Sequence, residues 1–393
     1  MRISSIKTIA VLFVILSACG PTVDDTVDLE DCVSLTNEMI NGGVSLEKGC
    51  YLVDEDIKVN EGLLTLEPGV EIFFDRETGL TISGNGSLSS EGTSTERVKL
   101  TGMVDEPGSW TGLYFNNSES SLNLLQYTTV EFGGGKDIGD GLGVANIGLG
   151  AFVGSSRLVM KNTIVRDSKE KGMIIKQDSA FSGFSFNVFE NNGDYALSIP
   201  ADQRAWIDSG SDFVGSSNIS GIQVYGGKVD KNSTWQPLKG DAFTSVSDEI
   251  KVHARLVIQP AVEIHFGDNV GIIIEGRFDG VLIAAGTAVK PIIFTRLDTV
   301  QWRGIYIDNS ESSENIISNA IIEYGGFSAF DFKEKANLAI GGFVGVSNIV
   351  VKDCTISNSA GSGIFLESDS VTNSDIAAVN SFSENIGQNI WVK

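Results

Sequence analysis

The chain has 393 residues, of which 41% are hydrophobic, with 45 glycines against 7 prolines. This composition favours a turn-rich all-β protein with a sizeable core and argues against a disordered chain, which would be poorer in apolar residues. The formal net charge of −23 argues against nucleic acid as a partner, because binding phosphates needs clustered cations.

Residues 1–18 have the pattern of an export signal. Arg2 and Lys7 give a basic start, and a short apolar run follows at 8–16. This run is too short to span a bilayer, which takes roughly 20 residues. It is therefore predicted to be the apolar segment of a secretory signal peptide.

The sequence LSACG at 16–20 ends this segment. It resembles the lipobox of bacterial lipoproteins, in which small residues precede a cysteine. The resemblance implies cleavage before Cys19 and lipid chains, palmitate among them, on that residue, and several chains give stable membrane anchoring. Gly20 after the cysteine implies export to the outer membrane of a Gram-negative bacterium, on its cell-surface or periplasmic side. An ordinary signal peptide with an incidental cysteine is the alternative.

Two short segments precede the repetitive part of the chain. Residues 19–31 are acidic, hold no packed pattern and are predicted to form a lipidated tether. Residues 32–50 are predicted to be an N-terminal cap. Because an exported protein meets an oxidising compartment, Cys32 and Cys50 are a candidate disulfide. Cys354 is expected to be a buried free thiol, with an intermolecular bridge as the alternative.

The rest of the chain is a tandem duplication. WTGLYFNNSESS at 110–121 returns as WRGIYIDNSESS at 302–313, 192 residues later and identical at eight of twelve positions. Shorter matches such as VEFGG at 130–134 and IEYGG keep the same offset. The predicted copies are residues 51–231 and 232–393, continuous with each other, and we expect a monomer.

Each copy contains short runs of Val, Ile, Leu and Phe that alternate with polar residues, as half-buried strands do. Strand centres are predicted at Val130, Phe152, Ile174 and Leu197, 22 or 23 residues apart. These runs, with LTLEPGVEIFF as the clearest, resemble the right-handed parallel β-helix repeats of secreted bacterial proteins, the pectate-lyase-like fold. The predicted fold class is therefore all-β: a single-stranded right-handed parallel β-helix solenoid built from two tandem copies.

Groups that could converge for catalysis are few. His253 and His265 are the only histidines, so neither a Ser-His-Asp triad nor a His-rich metal site is expected. The run GGGKDIG at 133–139 has Asp after its lysine and no helical pattern behind it, unlike a phosphate-binding loop.

Four glutamates recur between the copies, and strand alternation places them on the outer face. Paired carboxylates can act as acid and base on sugars or bind Ca²⁺; ordinary surface acids are the alternative. Polysaccharide lyases of the resembled fold use a Ca²⁺-binding acid cluster with an Arg or Lys base, and no such cluster can be placed here. The four are Glu71, Glu263, Glu131 and Glu323.

Aromatic side chains suggest a ligand surface. Tyr114 and Tyr306 are predicted to face outward, beneath Trp110 and Trp302, where exposed rings would stack on sugars. The alternative is that the tryptophans pack over a turn and the tyrosines merely cover the sheet.

Two loops, 135–147 and 327–338, occupy equivalent places in the copies but differ in sequence. Divergent loops on a repeated scaffold are where binding usually resides. Asp137, Asp140 and Asp331 in these loops are candidate Ca²⁺ ligands, and no other cofactor is expected.

The expected function is that of a lipid-anchored cell-envelope module that binds or scaffolds envelope or extracellular polysaccharide. One alternative is a polysaccharide lyase or glycoside hydrolase of the same fold, and another is a structural or adhesive surface rod with a protein partner. The scarcity of convergent groups favours a non-enzyme, but the fold alone does not decide, because this architecture hosts several functions.

We predict that Cys19→Ser releases the protein from the membrane fraction, because the lipid attachment atom is lost. Cell fractionation with immunoblotting measures this, and Cys354→Ser is the control that stays membrane-bound. Continued membrane association of the Cys19→Ser variant would refute lipidation at this position.

Overall fold

The structure is a computed structural model that describes residues 29–150, 152–215, 220–331, 333–342 and 345–393. The signal segment, Cys19 and most of the predicted tether lie outside these residues. In the described ranges the helical segments are short: α1 (Asn37–Ile40) and the 3-10 turns η1 (Leu29–Asp31), η2 (Ala201–Trp206) and η3 (Gly276–Phe278). Within the same ranges, no helix is both long enough and apolar enough to cross a membrane.

The remaining regular structure is β-strand, arranged in four sheets, so the predicted all-β class is confirmed. The first sheet has eight strands: β1 (Val33–Ser34), β3 (Gly49–Val53), β5 (Val70–Phe74), β7 (Val98–Gly102), β10 (Thr128–Glu131), β13 (Ile164–Arg166), β16 (Val188–Glu190) and β18 (Asp212–Val214). The second has seventeen: β2 (Val44–Leu46), β4 (Ile57–Leu66), β6 (Gly79–Glu91), β8 (Gly112–Asn116), β9 (Leu124–Gln126), β11 (Ala145–Gly150), β12 (Arg157–Lys161), β14 (Lys171–Ile175), β15 (Ala180–Ser185), β17 (Leu197–Ile199), β19 (Gly221–Val224), β22 (Phe243–Val246), β25 (Glu263–Phe266), β28 (Ile292–Arg296), β31 (Ala320–Glu323), β34 (Thr355–Ser357) and β37 (Ser381–Ser383).

The third and fourth sheets belong to the second half of the chain. The third has seven strands: β20 (Gly227–Val229), β23 (Ile250–Val252), β26 (Gly271–Glu275), β29 (Gly304–Asp308), β32 (Ala336–Gly341), β35 (Ser362–Leu366) and β38 (Ile390–Val392). The fourth has six: β21 (Ser233–Trp235), β24 (Arg255–Ile258), β27 (Val281–Ala285), β30 (Ile316–Ser318), β33 (Asn348–Lys352) and β36 (Val371–Thr372). Neighbouring strands pair in parallel throughout, as in β3 with β5 and β26 with β29, which is compatible with the predicted β-helix.

The apolar residues form the core as the alternation predicts. In β5, Val70, Ile72 and Phe74 are buried with at most 1% exposure, while Glu71 between them is half-buried. Side chains of a strand point to opposite faces in turn, so one face of each sheet supplies the core. These inward faces build one hydrophobic cluster that runs from Leu35 near the N-terminal end to Ile376 near the C-terminal end.

The predicted regular spacing of 22 residues is wrong. In the row β8, β11, β14 and β17, the paired residues Tyr114, Gly148, Ile174 and Ser198 are 34, 26 and 24 residues apart. Phe152, predicted as a strand centre, lies in the turn after β11 and is 78% exposed. The loop between β10 and β11 lengthens this part of the chain.

The N-terminal segment covers the first strands. Leu35 and Ile40 are buried in the core cluster, and a disulfide joins Cys32 to Cys50. Cys354 is a buried free cysteine, as predicted. Burial raises the pKa of its thiol to about 11, which makes it a poor nucleophile at neutral pH.

Both copies repeat the same tryptophan contact. The indole Nε1 of Trp110 donates to the Glu131 carbonyl oxygen at 2.7 Å, and that of Trp302 donates to the Glu323 carbonyl oxygen at 2.7 Å. Each indole also stacks on a phenylalanine, with ring centroids 4.2 and 4.3 Å apart. Both tryptophans are fully buried, so they fix the strand that follows each of them.

Equivalent surfaces of the two copies lie on different sheets. The row that contains Tyr114 in β8 continues through β19 into β22, β25 and β28. By the 192-residue offset, however, β25 is the counterpart of β5 in the first sheet, and β29, the counterpart of β8, lies in the third sheet. At the junction of the copies, the row of strands that holds β8 is therefore continued by the counterpart of β5 and not by the counterpart of β8, and we call this an offset of the faces. The 3-10 turn η2 packs beside β15, β20 and β21 at this junction.

Buried asparagines tie the strands to the loops. The side chain of Asn146 is fully buried; its Oδ1 accepts from the Gly133 N–H at 2.6 Å, and its Nδ2 donates to the carbonyl oxygens of Val130 and Arg166. Asn337 makes the equivalent three bonds in copy two. One side chain thus bonds three backbone groups at once and ties the start of the loop to β10 and β13.

We predict that Asn146→Ala lowers the free energy of unfolding by about 2–4 kcal/mol, because buried backbone groups left unpaired cost about 1–3 kcal/mol each. Urea denaturation measures this. Asn85→Ala, at an exposed position, is the control and should cost less than about 0.5 kcal/mol. Equal effects of the two substitutions would contradict the assignment.

Candidate functional site

The structure buries the aromatic residues that the sequence placed on an exposed surface. Tyr114 is 4% exposed, Tyr306 is 1% exposed, and Trp110 and Trp302 are not exposed at all. The two tyrosines do lie on the outer faces of their strands, but the divergent loops fold over them. The expectation of an exposed aromatic strip is therefore wrong.

In copy one, the loop between β10 and β11 closes over Tyr114. The carboxylate Oδ2 of Asp140 accepts from the Tyr114 hydroxyl at 2.7 Å and from the Phe152 N–H at 2.9 Å. Gly139 lies so close to the ring that a Cβ there would clash with it. Burial, and then the bond to Asp140, raise the pKa of the Tyr114 hydroxyl. The predicted loop ends earlier than expected, because residues 145–147 belong to β11.

In copy two, the corresponding loop uses a different contact. The Phe330 ring stacks on Tyr306 with centroids 5.2 Å apart, and the Arg303 guanidinium lies 4.2 Å from the Phe330 centroid. The Tyr306 hydroxyl donates to Asp308 Oδ1 at 3.0 Å instead of to a loop residue. Here too the predicted loop is shorter, since residues 336–338 belong to β32.

The candidate Ca²⁺ ligands are not brought together. Asp137 accepts hydrogen bonds from the N–H groups of its own loop, and Asp140 is bonded to Tyr114. Asp331 lies in the other copy, on a loop over a different sheet. Across the described residues, no group of three or more His, Cys, Asp or Glu side chains is placed to hold a metal ion.

The four recurring glutamates do not form a cluster either. Glu131, expected at the surface, is only 1% exposed, because Lys99 and Arg166 cover it with ion pairs of 3.1 and 2.7 Å. In the other copy, Glu323 accepts from the Thr295 hydroxyl. The hydrogen bond from His265 lowers the pKa of Glu263, against the effect of burial. These contacts are those of glutamates that stabilise the fold.

A concave site lies on the outer face of the third sheet. We call it the second-copy groove; its cavity volume is about 650 Å³, within the range of small-ligand sites. Strands β23, β26 and β29 form its floor, and the loop after β31 forms one wall. It is lined by Glu249, Lys251, Ile273, Glu275, Arg277, Arg303, Tyr306, Asp308, Asn309, Phe330 and Asp331.

Strand register sets two rows of side chains across the groove floor. Lys251, Ile273 and Tyr306 are direct neighbours on successive strands. Glu275 and Asp308 are direct neighbours two residues further along, and paired positions on adjacent strands are about 4.8 Å apart. Two carboxylates thus lie side by side at one end of the groove.

Basic groups surround one of these carboxylates. Glu275 is bonded to His253 Nε2 at 2.6 Å and to Arg277 Nη2 at 2.8 Å. His253 is held from its other side by Asp230, at 2.8 Å. Along the wall, Arg303 pairs with Glu249 at 2.9 Å. The groove therefore combines a network of opposite charges with the apolar surface of Ile273, Tyr306 and Phe330.

The pKa values of the two neighbouring carboxyl groups are shifted in opposite directions. Burial acts to raise the pKa of Glu275, but hydrogen bonds from His253 and Arg277 hold it below its ordinary value. Burial raises the pKa of Asp308, and the nearby charges of Asp331 and Glu275 raise it further, against the Tyr306 hydrogen bond. Glu275 is thus kept ionised, while Asp308 takes up a proton more readily than a free aspartate.

The sequence reasoning missed most of this groove. A usable signal existed in the comparison of the copies, since four charged positions of copy two are neutral in copy one. The match of IKV at 57–59 with IKV at 250–252 sets an offset of 193 at this strand, so His253 corresponds to Asn60. His253 and Glu275 thus replace the neutral pair Asn60 and Ser83, which are bonded at 2.5 Å. The four positions are Glu275 against Ser83, Arg277 against Asn85, Arg303 against Thr111 and Asp308 against Asn116.

Comparison with known proteins yields no relative for this chain. No protein-family model matches it, and neither a curated protein nor a solved structure does.

We predict that Asp308→Asn raises the melting temperature at pH 7. Because the folded-state pKa of Asp308 is raised, the folded chain binds more protons than the unfolded chain above the ordinary carboxyl range, and stability falls as the pH rises through that window. Asparagine removes this cost, keeps an oxygen acceptor for Tyr306, and is the residue of copy one.

Thermal unfolding at pH 7 and pH 3 measures the effect, which should shrink at pH 3, where both states are largely protonated. Asp105→Asn at an exposed position is the control and should change little at either pH. A lower melting temperature of Asp308→Asn at pH 7 would show that the ionised carboxylate stabilises the fold.

Proposed function

We propose that this protein is a lipid-anchored cell-envelope module that binds polysaccharide in the second-copy groove. The observation that carries the proposal is the difference between the copies. On one repeated scaffold, Glu275, Arg277, Arg303 and Asp308 gather around one concavity, and their copy-one counterparts are uncharged. Ordinary solubility does not explain charges concentrated in a groove and tied to each other.

The chemistry of the groove favours a hydroxyl-rich ligand. Its aromatic rings are covered, since Phe330 and Tyr306 are at most 2% exposed, so stacking on a ring is not the main contact. Glu275 is covered too, at 4% exposed, so Arg277, which is exposed, and Asp308, which is half-buried, are the charged groups that remain. Such groups form strong charge-assisted hydrogen bonds with hydroxyl groups. Sugars supply such hydroxyl groups at high density.

The charge balance favours neutral glycans over polyanionic ones. Four carboxylates line the groove against three cations, and the whole chain has a net charge of −23. Polyuronates and sulfated glycans would be repelled at long range. A neutral polysaccharide meets no such cost.

The architecture and location belong to the same proposal. Parallel pairing of strands far apart in sequence supports a right-handed β-helix with two tandem copies, and the LSACG sequence at 16–20 supports lipidation at Cys19 in an outer membrane. A rod of this kind would hold the groove away from the membrane. The residues of the tether, 19–31, would set that distance.

One observation favours glycoside hydrolysis as a second candidate function. Neighbouring carboxyl groups whose pKa values are driven apart supply an acid and a base. Asp308, with its raised pKa, is the candidate general acid, and Glu275, held ionised, is the candidate nucleophile or base. A lyase on acidic polysaccharide is less favoured, because the groove is not cationic.

We predict binding of neutral glycans on a glycan array, with weaker or no binding of uronate-rich glycans. The double variant Glu275→Ser, Arg277→Asn should weaken binding at least tenfold, because lost charge-assisted bonds are worth about 1.5–3 kcal/mol each. Isothermal titration calorimetry with the best array ligand measures this.

The matched control is Ser83→Ala, Asn85→Ala at the equivalent positions of copy one, and it should leave the affinity unchanged. Equal loss in both variants would place the binding surface elsewhere, and binding of no glycan would favour the protein-binding rod. A reducing-end assay on the bound glycan separates the two candidates: product formed by the native chain and not by Glu275→Gln means hydrolysis.

A further inference from the structure

A buried cation lies at the junction of the two copies, and no described carboxylate pairs with it. Arg204, in η2, is fully buried. Its Nε donates to Thr244 Oγ1 at 3.1 Å, and its Nη2 donates to the Gln236 carbonyl oxygen at 2.6 Å. Burial alone lowers the pKa of this guanidinium to about 9, with no acidic group acting on it. An unbalanced charge in the interior is strongly unfavourable.

Two hydrogen-bond donors at this place have no acceptor in the described part of the chain. Among the described residues, neither Arg204 Nη1 nor Trp235 Nε1 has a hydrogen-bond partner, and both atoms are buried. The guanidinium carbon lies over the Trp235 ring, 5.8 Å from its centroid, so the two side chains that carry these donors are neighbours. The buried indoles of Trp110 and Trp302, in contrast, each donate to a backbone carbonyl oxygen.

We propose that a small monovalent anion of the halide class, such as chloride, binds between Arg204 Nη1 and Trp235 Nε1. Both groups can only donate, and an anion accepts from both while balancing the guanidinium charge. Water fits less well, because it would leave the charge unbalanced and would need acceptors for its own hydrogens.

The site joins the two halves of the chain. Arg204 comes from copy one, in the turn between β17 and β18, whereas Trp235 and Thr244 come from β21 and β22 of copy two. An anion bound by Arg204 and Trp235 therefore stabilises the junction at which the faces of the two copies are offset. Its binding to the folded chain raises stability with anion concentration.

Anomalous diffraction from crystals of the intact chain grown in sodium bromide tests the site directly. We expect an anomalous peak within hydrogen-bond distance of both Arg204 Nη1 and Trp235 Nε1. A water molecule there, or no bromide, overturns the proposal. This experiment needs no variant, so it does not depend on the folding of one.

Thermal unfolding gives an independent test. At equal ionic strength, the native chain should melt at a higher temperature in chloride or bromide than in gluconate, which is too large to enter. Trp235→Phe should weaken this difference at least severalfold, and Arg204→Met should abolish it. Trp302→Phe, which removes an indole donor that has a protein acceptor, is the matched control and should keep the full difference. Equal melting temperatures of the native chain in all three salts would contradict the proposal.

Discussion

Parallel backbone pairing between strands that are 18 or more residues apart is the constraint on which the rest of this structure depends. It fixes which residues become neighbours, as with Glu71 and Lys99 or Glu275 and Asp308. It also forces one side chain in two toward the core, which explains the recurrent Val, Ile, Leu and Phe. Buried side chains such as Asn146 and Asn337 add hydrogen bonds that tie the strands to the loops beside them.

The outward positions are free of this constraint, and there the two copies diverge. The tryptophan contact of Trp110 and Trp302 is unchanged, but each tyrosine beneath it is covered by a different loop. Copy one closes its surface with Asp140 on Tyr114. Copy two places Phe330 over Tyr306 and leaves a charged groove beside it. A repeated scaffold thus supports two different surfaces at equivalent places.

Strand alternation was enough to predict the all-β class and the buried face of β5, because burial in a strand follows a period of two. It was not enough to predict that Tyr114 and Tyr306 are covered, since that depends on how loops far along the chain fold back. The prediction that Glu131 is exposed was wrong for a similar reason. Lys99 and Arg166 cover it because strand register brings them beside it. Predicting the groove would also have needed the strand register that places Glu275 beside Asp308. The charged residues that replace Ser83 and Asn116 were already visible in the sequence.

The most direct test of the central claim, that copy two alone contains the glycan-binding surface, is a crystal structure with the tightest-binding neutral oligosaccharide from the array. We predict density for the sugar in the second-copy groove, with hydroxyl groups bonded to Arg277 and Asp308, and none over Asn85 and Asn116 of copy one. Sugar density on the copy-one surface, or an empty groove with the sugar bound elsewhere, would contradict the account.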